Sequence, residues 1–480
     1  MMKLKIMAVL AGMCSLASFA EHRPDVLFIA MDDMNDWNTL FDAGNPIQAP
    51  NLQRLASRGC FFTQAYCVTP ACNPSRTAIL SGLRPTTSGV YGNRQSWKKL
   101  IPDAVMLPRY FKENGYITKG AGKIFHHGSN GADNKENPSF DDFQGLKNPK
   151  RPFKENLNGY TKEYNKHLSS GSFDWGAMDV DKHTDENTVD YVSAVMKEAR
   201  AEDQPLFLAA GIFRPHLPFY APSSTFARYP FEELRMPPMP ENDLDDVPAI
   251  GREMAHTQEF VWENATKPPV DRPGSLKKMV QSYQAAADFA DEMVGRLLDE
   301  LDASGRADNT IIVLWSDHGY HLGDKESCMK FTLWEKANHV PFIIVAPGIA
   351  KPGTKCDQPV SLLDIYPTLV ELAGLPEKEG LDGSSLVPLL KNPETNWEKP
   401  AVSTLGRGNH SIRSKRWRYI HYNDGTEELY DHDGDPWEWT NLAENPEYAA
   451  VLEEHRKWLP KNEAPFNETG RGAWVYGSWD

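Results

Sequence analysis

The sequence predicts an α/β fold. A large, mainly parallel sheet carries helices on both faces, and a small C-terminal α+β subdomain with an antiparallel sheet follows. Three observations predict it. Four nearly continuous apolar runs of strand length occur before Pro347, helical patterns separate them, and after Gly380 the chain changes to short alternating segments. Strands buried on both faces read as unbroken apolar runs, and their alternation with helices marks parallel crossover units.

Arg23-Pro24 leads into the first run, Asp25–Met31, which ends in the polar cluster Asp32-Asp33-Met34-Asn35-Asp36. Leu206–Ile212 is the second and ends in Phe213-Arg214-Pro215-His216. Thr310–Trp315 is the third and ends in Ser316-Asp317-His318-Gly319. Val340–Ala346 is the fourth, stopped by Pro347-Gly348. Ser275–Leu301 places Met279, Tyr283, Ala286, Phe289, Met293 and Leu297 at helical spacing, and Ser361–Ala373 is a second helical pattern. Segment 129–187, rich in Lys, Asn, Asp and Gly, reads as a surface insertion, as does the Pro- and Glu-rich segment 230–273. Long loops over a rigid sheet shape substrate pockets. In the C-terminal part, Trp417–Tyr422 alternates like a strand, and Glu428–Tyr430 is the next.

Residues 1–20 read as a secretory signal peptide. Lys3 and Lys5 precede an apolar stretch, Ile6–Ala20, with small residues Ser18 and Ala20 before Glu21. The stretch is too short for a comfortable membrane span, and no other has the length of a transmembrane segment. The expected organisation is a signal peptide over 1–20, a catalytic α/β domain over 21–375 and a C-terminal subdomain over 376–480. The expected location is secreted, periplasmic or extracellular, and lysosomal only in a eukaryotic source. There, Asn264, Asn409 and Asn467 begin glycosylation sequons.

The chain has 480 residues, 40% of them hydrophobic and 24% charged, which excludes a disordered or fibrous protein. Its formal charge is −15, and losing Lys3 and Lys5 with the signal peptide takes it to −17. Nucleic acid is therefore not an expected partner, since that affinity comes from neutralising phosphates. Removing Cys14 with the signal peptide leaves five cysteines, an odd number.

Three of the four runs carry Asp, His or Arg directly after their carboxyl ends, where ligands sit in sheets of this kind. Asp32, Asp33, Asp317 and His318 form an oxygen-rich set that suits a hard divalent cation better than zinc. The most informative segment is Cys72-Asn73-Pro74-Ser75-Arg76, continued by Thr77-Ala78-Ile79-Leu80-Ser81-Gly82.

That segment resembles the signature of the type I sulfatases, whose cysteine is oxidised during secretion to formylglycine. Other positions match residue by residue, from about Pro24 to Pro446. Asp32, Asp33, Asp317 and His318 match the cation ligands, with residue 72. Lys123 and His126 in Gly-Lys-Ile-Phe-His-His-Gly, His216 in Phe-Arg-Pro-His-Leu-Pro-Phe, Arg76 and Lys330 match catalytic residues. Leu429-Tyr430-Asp431 with Asp435-Pro436 is similar to the C-terminal signature. Gly-Lys-x-Phe-His and Arg-Pro-His-x-Pro-Phe are closest to the iduronate-2-sulfatase branch. Glu326-Ser327-Cys328-Met329, before Lys330, departs from that branch.

The resemblance implies an alkaline-phosphatase-like sulfatase fold, a calcium ion, and maturation of Cys72 by a formylglycine-generating or anaerobic maturation enzyme. It implies that hydrated formylglycine attacks sulfur while calcium, Arg76, Lys123 and Lys330 neutralise the sulfate oxygens. His216 would protonate the leaving oxygen, and His126 would take the proton that reforms the aldehyde as sulfate departs. Arg214 is a candidate substrate contact, and His127 and His321 are supporting or structural. The implied substrate is a sulfated carbohydrate, attacked from a chain end. A phosphodiesterase or phosphonate-ester hydrolase of the same superfold, and a non-catalytic glycan-binding relative, are the alternatives. Cys60, Cys67, Cys328 and Cys356 are left either free or paired.

Overall fold

The computed structural model describes residues 23–126, 139–148, 150, 152, 154–159, 173–199, 204–266 and 272–465. The proposed signal peptide, His127 and Asn467 lie outside them. The main sheet contains β1 (Asp25–Asp32), β2 (Cys60–Phe62), β3 (Ile117–Gly122), β4 (Asp142–Gln144), β5 (Leu206–Pro215), β6 (Thr310–Ser316), β7 (Phe342–Val345) and β8 (Thr354–Cys356). Their spatial order is β8-β2-β7-β6-β1-β5-β3-β4. Every neighbouring pair is parallel except the two made by β7, which alone runs against the others.

The unbroken apolar runs have a direct cause. Leu27, Ile29 and Met31 of β1 enter one core, while Val26, Phe28 and Ala30 enter the other. β6 divides in the same way, with Ile312 and Leu314 on one side and Ile311, Val313 and Trp315 on the other. Each such side chain contributes about 1.5–3 kcal/mol by leaving water. The strands are therefore held rigidly up to their carboxyl ends.

On the first face lie α2 (Thr184–Glu198) and α3 (Leu276–Ala303); on the second lie α1 (Cys72–Ser81) and α4 (Ile365–Leu372). Helix α3 has 28 residues and starts at Ser275, whose hydroxyl accepts from the Lys278 N–H. The helix expected over 361–373 is shorter, because Leu362–Asp364 form a 3₁₀ turn first.

Segment 230–273 is not a mere surface insertion. It contains helices Ala249–Ala255 and Glu259–Thr266 and buries Leu244, Val247, Ile250 and Met254 in the α3-side core. Sparse apolar residues among Pro and Glu hid this. In segment 129–187, Asp142–Gln144 pairs as the edge strand β4, and Thr184–Asn187 are the first turn of α2.

The C-terminal sheet is a meander of β9 (Ala401–Thr404), β10 (His410–Arg413), β11 (Trp417–His421) and β12 (Glu427–Asp431), all antiparallel. Helix α5 (Ala449–Arg456) covers it through Leu452, against Val402, Ile412, Tyr419 and Leu429. A buried ionic cluster ties this sheet to the segment that follows β6. Arg418 pairs with Glu335 and with Glu438 (2.5 Å), Arg413 with Glu335 (3.3 Å), and Trp334 Nε1 donates to Glu428 (2.7 Å). The predicted fold class is therefore the observed one. Asn409 is fully buried and donates to Leu405 O, so its sequon is inaccessible in the folded chain.

Candidate active site

Five elements deliver the site, and four of them end at the carboxyl edge of the sheet. Strand β1 delivers Asp32 and Asp33, β3 delivers Lys123 and His126, β5 delivers Arg214 and His216, and β6 delivers Asp317 and His318. Helix α1 presents Cys72 at its first position, where unpaired N–H groups favour negative charge. Strand β3 did not stand out as an apolar run, because Gly120 and Gly122 interrupt it. Those glycines, with Gly211, let β3 and β5 approach closely. A Cβ on Gly211 would lie 2.3 Å from Lys123 N, and Lys123 N donates to Gly211 O at 3.0 Å.

The five expected cation ligands come together. Donor atoms of Asp32, Cys72, Asp317 and His318 lie within 4.8 Å of one another, as do those of Asp32, Asp33, Cys72 and His216. His318 Nδ1 faces Gly319 O at 3.1 Å, so it carries the proton and leaves Nε2 to face Cys72 Sγ at 3.2 Å. Asp33 adopts φ 66°, a left-handed conformation that Asp tolerates. Tyr283 of α3 secures that turn: its hydroxyl donates to Asp33 O (2.6 Å) and accepts from Asn35 N (3.0 Å). Helical spacing marks Tyr283 only as core, so this support was not legible beforehand.

Cations surround the carboxylates. Arg76 donates through Nε to Asp317 (2.7 Å), lies 3.3 Å from Asp32, and also bonds the main chain at Met31, Lys123 and Ile124. Lys123 pairs with Asp32, and Lys330 reaches both oxygens of Asp33 at 2.7 and 2.9 Å. Lys330 is thus placed in the site despite the unusual residues before it. Its segment is braced by His321, which contacts Asp324 and lies 2.6 Å from the Thr332 hydroxyl.

This charge pattern biases protonation. Burial raises the cost of a charged Cys72, yet Lys123, Lys330 and His318 outweigh it and hold the thiol well below its ordinary value. Burial likewise opposes ionised Asp32, but Lys123, His216 and Arg76 hold it below the usual carboxylate range. Burial pushes Asp317 up to about 6. His318 is pushed up to about 9, because Asp317 and Cys72 overcome its desolvation. His126 lies beside Cys72 with Nδ1 buried and unpartnered, and burial lowers its pKa, favouring neutral imidazole.

His216 is half-buried, and its Nδ1 donates to Leu217 O at 2.5 Å, leaving Nε2 for chemistry. Arg214 is buried and its guanidinium donates to Tyr220 O (2.7 Å) and His216 O (3.2 Å). As placed, it braces the His216 turn. Asp185, at the start of α2, accepts from the N–H groups of Phe213 and Arg214 (2.7 and 3.0 Å). A distant acidic residue of this kind leaves no local sequence signal. Cys60, Cys67, Cys328 and Cys356 are all buried and free, so none is disulfide-bonded.

The donor set fits a hard divalent cation. Three carboxylates supply oxygen, His318 turns Nε2 towards the cluster, and Asp32 Oδ1 is buried without a hydrogen-bond partner.

The family model described as "Sulfatase" matches residues 24–375, and "N-sulphoglucosamine sulphohydrolase, C-terminal" matches 323–464. A "Sulfatase" of Formosa agariphila is 37% identical, covering 96% of this chain and 92% of that protein. Human iduronate 2-sulfatase is 30% identical, covering 73% and 69%. Two solved structures share the fold with a TM-score of 0.70 each. One is a phosphonate monoester hydrolase of Agrobacterium radiobacter (22% identity, 91% of this chain, 94% of that one). The other was solved with its substrate D-glucosamine-2-N,6-O-disulfate (23% identity, 91% and 97%). The motif around Cys72, its assembly with the carboxylate cluster, and these matches converge: the chain belongs to the sulfatase family, whose members hydrolyse sulfate esters.

Proposed function

We propose that the protein is an exported carbohydrate sulfatase, iduronate-2-sulfatase-like and acting on chain ends, with residue 72 matured to formylglycine and calcium as its cation. The observation that carries this reading is the position of Cys72. It lies at a helix N-terminus, 3.2 Å from His318 Nε2, and clusters with Asp32 and Asp317.

Asp32, Asp33, Asp317, His318 and residue 72 would hold the cation, which supplies Lewis acidity when bound. Matured residue 72 would supply an oxygen nucleophile and a second hydroxyl able to expel sulfate. Arg76, Lys123 and Lys330 form a buried cationic wall for a sulfate group. His216, with Nδ1–H committed to Leu217 O, gives or takes the reaction's proton at Nε2. His126, kept neutral by burial beside residue 72, is suited to act as the base. A terminal 2-O-sulfated uronic acid is the proposed substrate, supported by the likeness to human iduronate 2-sulfatase.

The likeness to a phosphonate monoester hydrolase favours one alternative reading, as an ester hydrolase of phosphorus acids. A phosphate monoester carries two charges and a sulfate monoester one, so a one-cation site with Arg76, Lys123 and Lys330 suits sulfate better than phosphate monoesters. A phosphonate monoester matches sulfate in charge, and comparative turnover separates the two. Sulfate release from a panel of sulfated oligosaccharides, with Cys72→Ala as control, tests the proposal. Full activity in Cys72→Ala, or much faster turnover of aryl phosphonates than aryl sulfates, overturns it. Equal sulfate release from intact polymer and from disaccharides overturns the chain-end preference. Mass spectrometry of the residue-72 peptide tests maturation.

A further inference from the structure

A cavity of about 300 Å³ is lined by none of the catalytic residues. Helix α1 carries Cys72 at its first residue, and Arg84 follows just beyond its last. Ten helical residues span about 15 Å, so the helix separates Arg84 from Cys72 by about that length. Arg84, Ser384, Trp397, Lys399 and Trp458 line it, with Asp364 and Asp382 on the same wall.

Asp364 and Asp382 act on Arg84 electrostatically, and Asp364 on Lys399, but neither cation is engaged in a direct ion pair with them. Arg84 makes one long bond, from Nη1 to Val402 O at 3.4 Å, and Lys399 donates only to the Ser384 hydroxyl at 2.6 Å. Among the described residues neither has a carboxylate within ion-pair reach. The two carboxylates are committed to the backbone: Asp364 accepts from Ser361 N (3.1 Å) and Ser384 N (2.7 Å), and Asp382 from Arg84 N (2.8 Å). A half-buried guanidinium with most donors unused calls for an acceptor from outside the chain. The aromatic component points to its nature. Trp397 is anchored by Nε1 to Pro359 O at 3.1 Å, and Trp458 is 40% exposed. A flat apolar platform beside hydrogen-bonding cations matches a sugar ring that carries an acid group.

We propose that this cavity is an auxiliary binding site for an acidic pyranose residue, with Arg84 and Lys399 on the acid group and Trp458 against the ring. It would hold a glycan at a point remote from the reacting ester. The site goes beyond the proposed activity and does not depend on the chemistry at residue 72.

Binding of methyl β-D-glucuronide, glucose 6-sulfate and methyl β-D-glucoside to the full chain, read by saturation-transfer NMR, tests it. In the Cys72→Ala background, Trp458→Ala and Lys399→Gln should each weaken an acidic probe about tenfold. The neutral glucoside should not compete. Both side chains are exposed, so both variants should keep the fold and, with Cys72 intact, the parent's hydrolysis of an aryl sulfate. Binding of either acidic probe supports the site and identifies the acid group. Unchanged affinity in both variants, or equal binding of the neutral glucoside, overturns it. A parent that lacks aryl sulfatase activity would sink the proposed function and leave this result readable.

Discussion

Arg418→Met removes one guanidinium from the cluster that joins the C-terminal sheet to the segment carrying Lys330. Arg418 is fully buried and donates to Glu335, to Leu333 O (3.0 Å) and to the Ser411 hydroxyl (2.6 Å), and pairs with Glu438 at 2.5 Å. Methionine keeps much of the volume but leaves two buried carboxylates short of a partner. Arg413 at 3.3 Å and His432 at 2.9 Å compensate only in part. Breaking a buried pair from one side costs about 3–5 kcal/mol, because a charge is left desolvated. The loss should be smaller at pH 5 than at pH 8. Without Arg418 the folded-state pKa values of Glu335 and Glu438 rise, and protonation then relieves the uncompensated charge. Glu438→Gln in the same chain should recover part of the stability for the same reason. Denaturant unfolding followed by tryptophan fluorescence measures all three effects. Aryl sulfate hydrolysis should also fall, since Leu333 and Glu335 anchor the segment that presents Lys330. A loss below about 1 kcal/mol, with no pH dependence and no rescue, would refute the reasoning.

Gly211→Ala should push the backbone at Lys123 away, because the new Cβ would lie 2.3 Å from its nitrogen; kinetics should show kcat reduced, and an unchanged kcat argues against strict placement of Lys123. Tyr283→Phe removes both bonds of a buried hydroxyl and should cost about 1–3 kcal/mol by denaturation, with weaker retention of the divalent cation in a chelator titration. Dialysis against a chelator should lower both activity and thermal stability, and calcium should restore them. Burial pushes Asp291 up to about 6 while it accepts from Asn51 and Leu52 N–H groups. Its folded pKa exceeds the ordinary 3.8, so its contribution to stability falls as pH rises from about 4 to 6. Comparing Asp291→Asn with the parent by denaturation across that window should show this component flattened.

The sequence by itself determined the sheet-and-helix class, the strand ends at which Asp32, Asp33, His216, Asp317 and His318 occur, and the motif around Cys72. These were legible because two-sided burial demands unbroken apolar runs, and because the chemistry needs particular residue types at fixed spacing. Only the tertiary structure decided the reversal of β7, since an apolar run carries no direction. It also revealed β3 behind its glycines, and the burial of segment 230–273 in the core. The supports of the site came from the fold as well. Tyr283 reaches the Asp33 turn from a helix 250 residues away, and Asp185 holds the Arg214 backbone across 29 residues. Such contacts depend on which faces pack together, and packing is a property of the whole chain that no local pattern encodes.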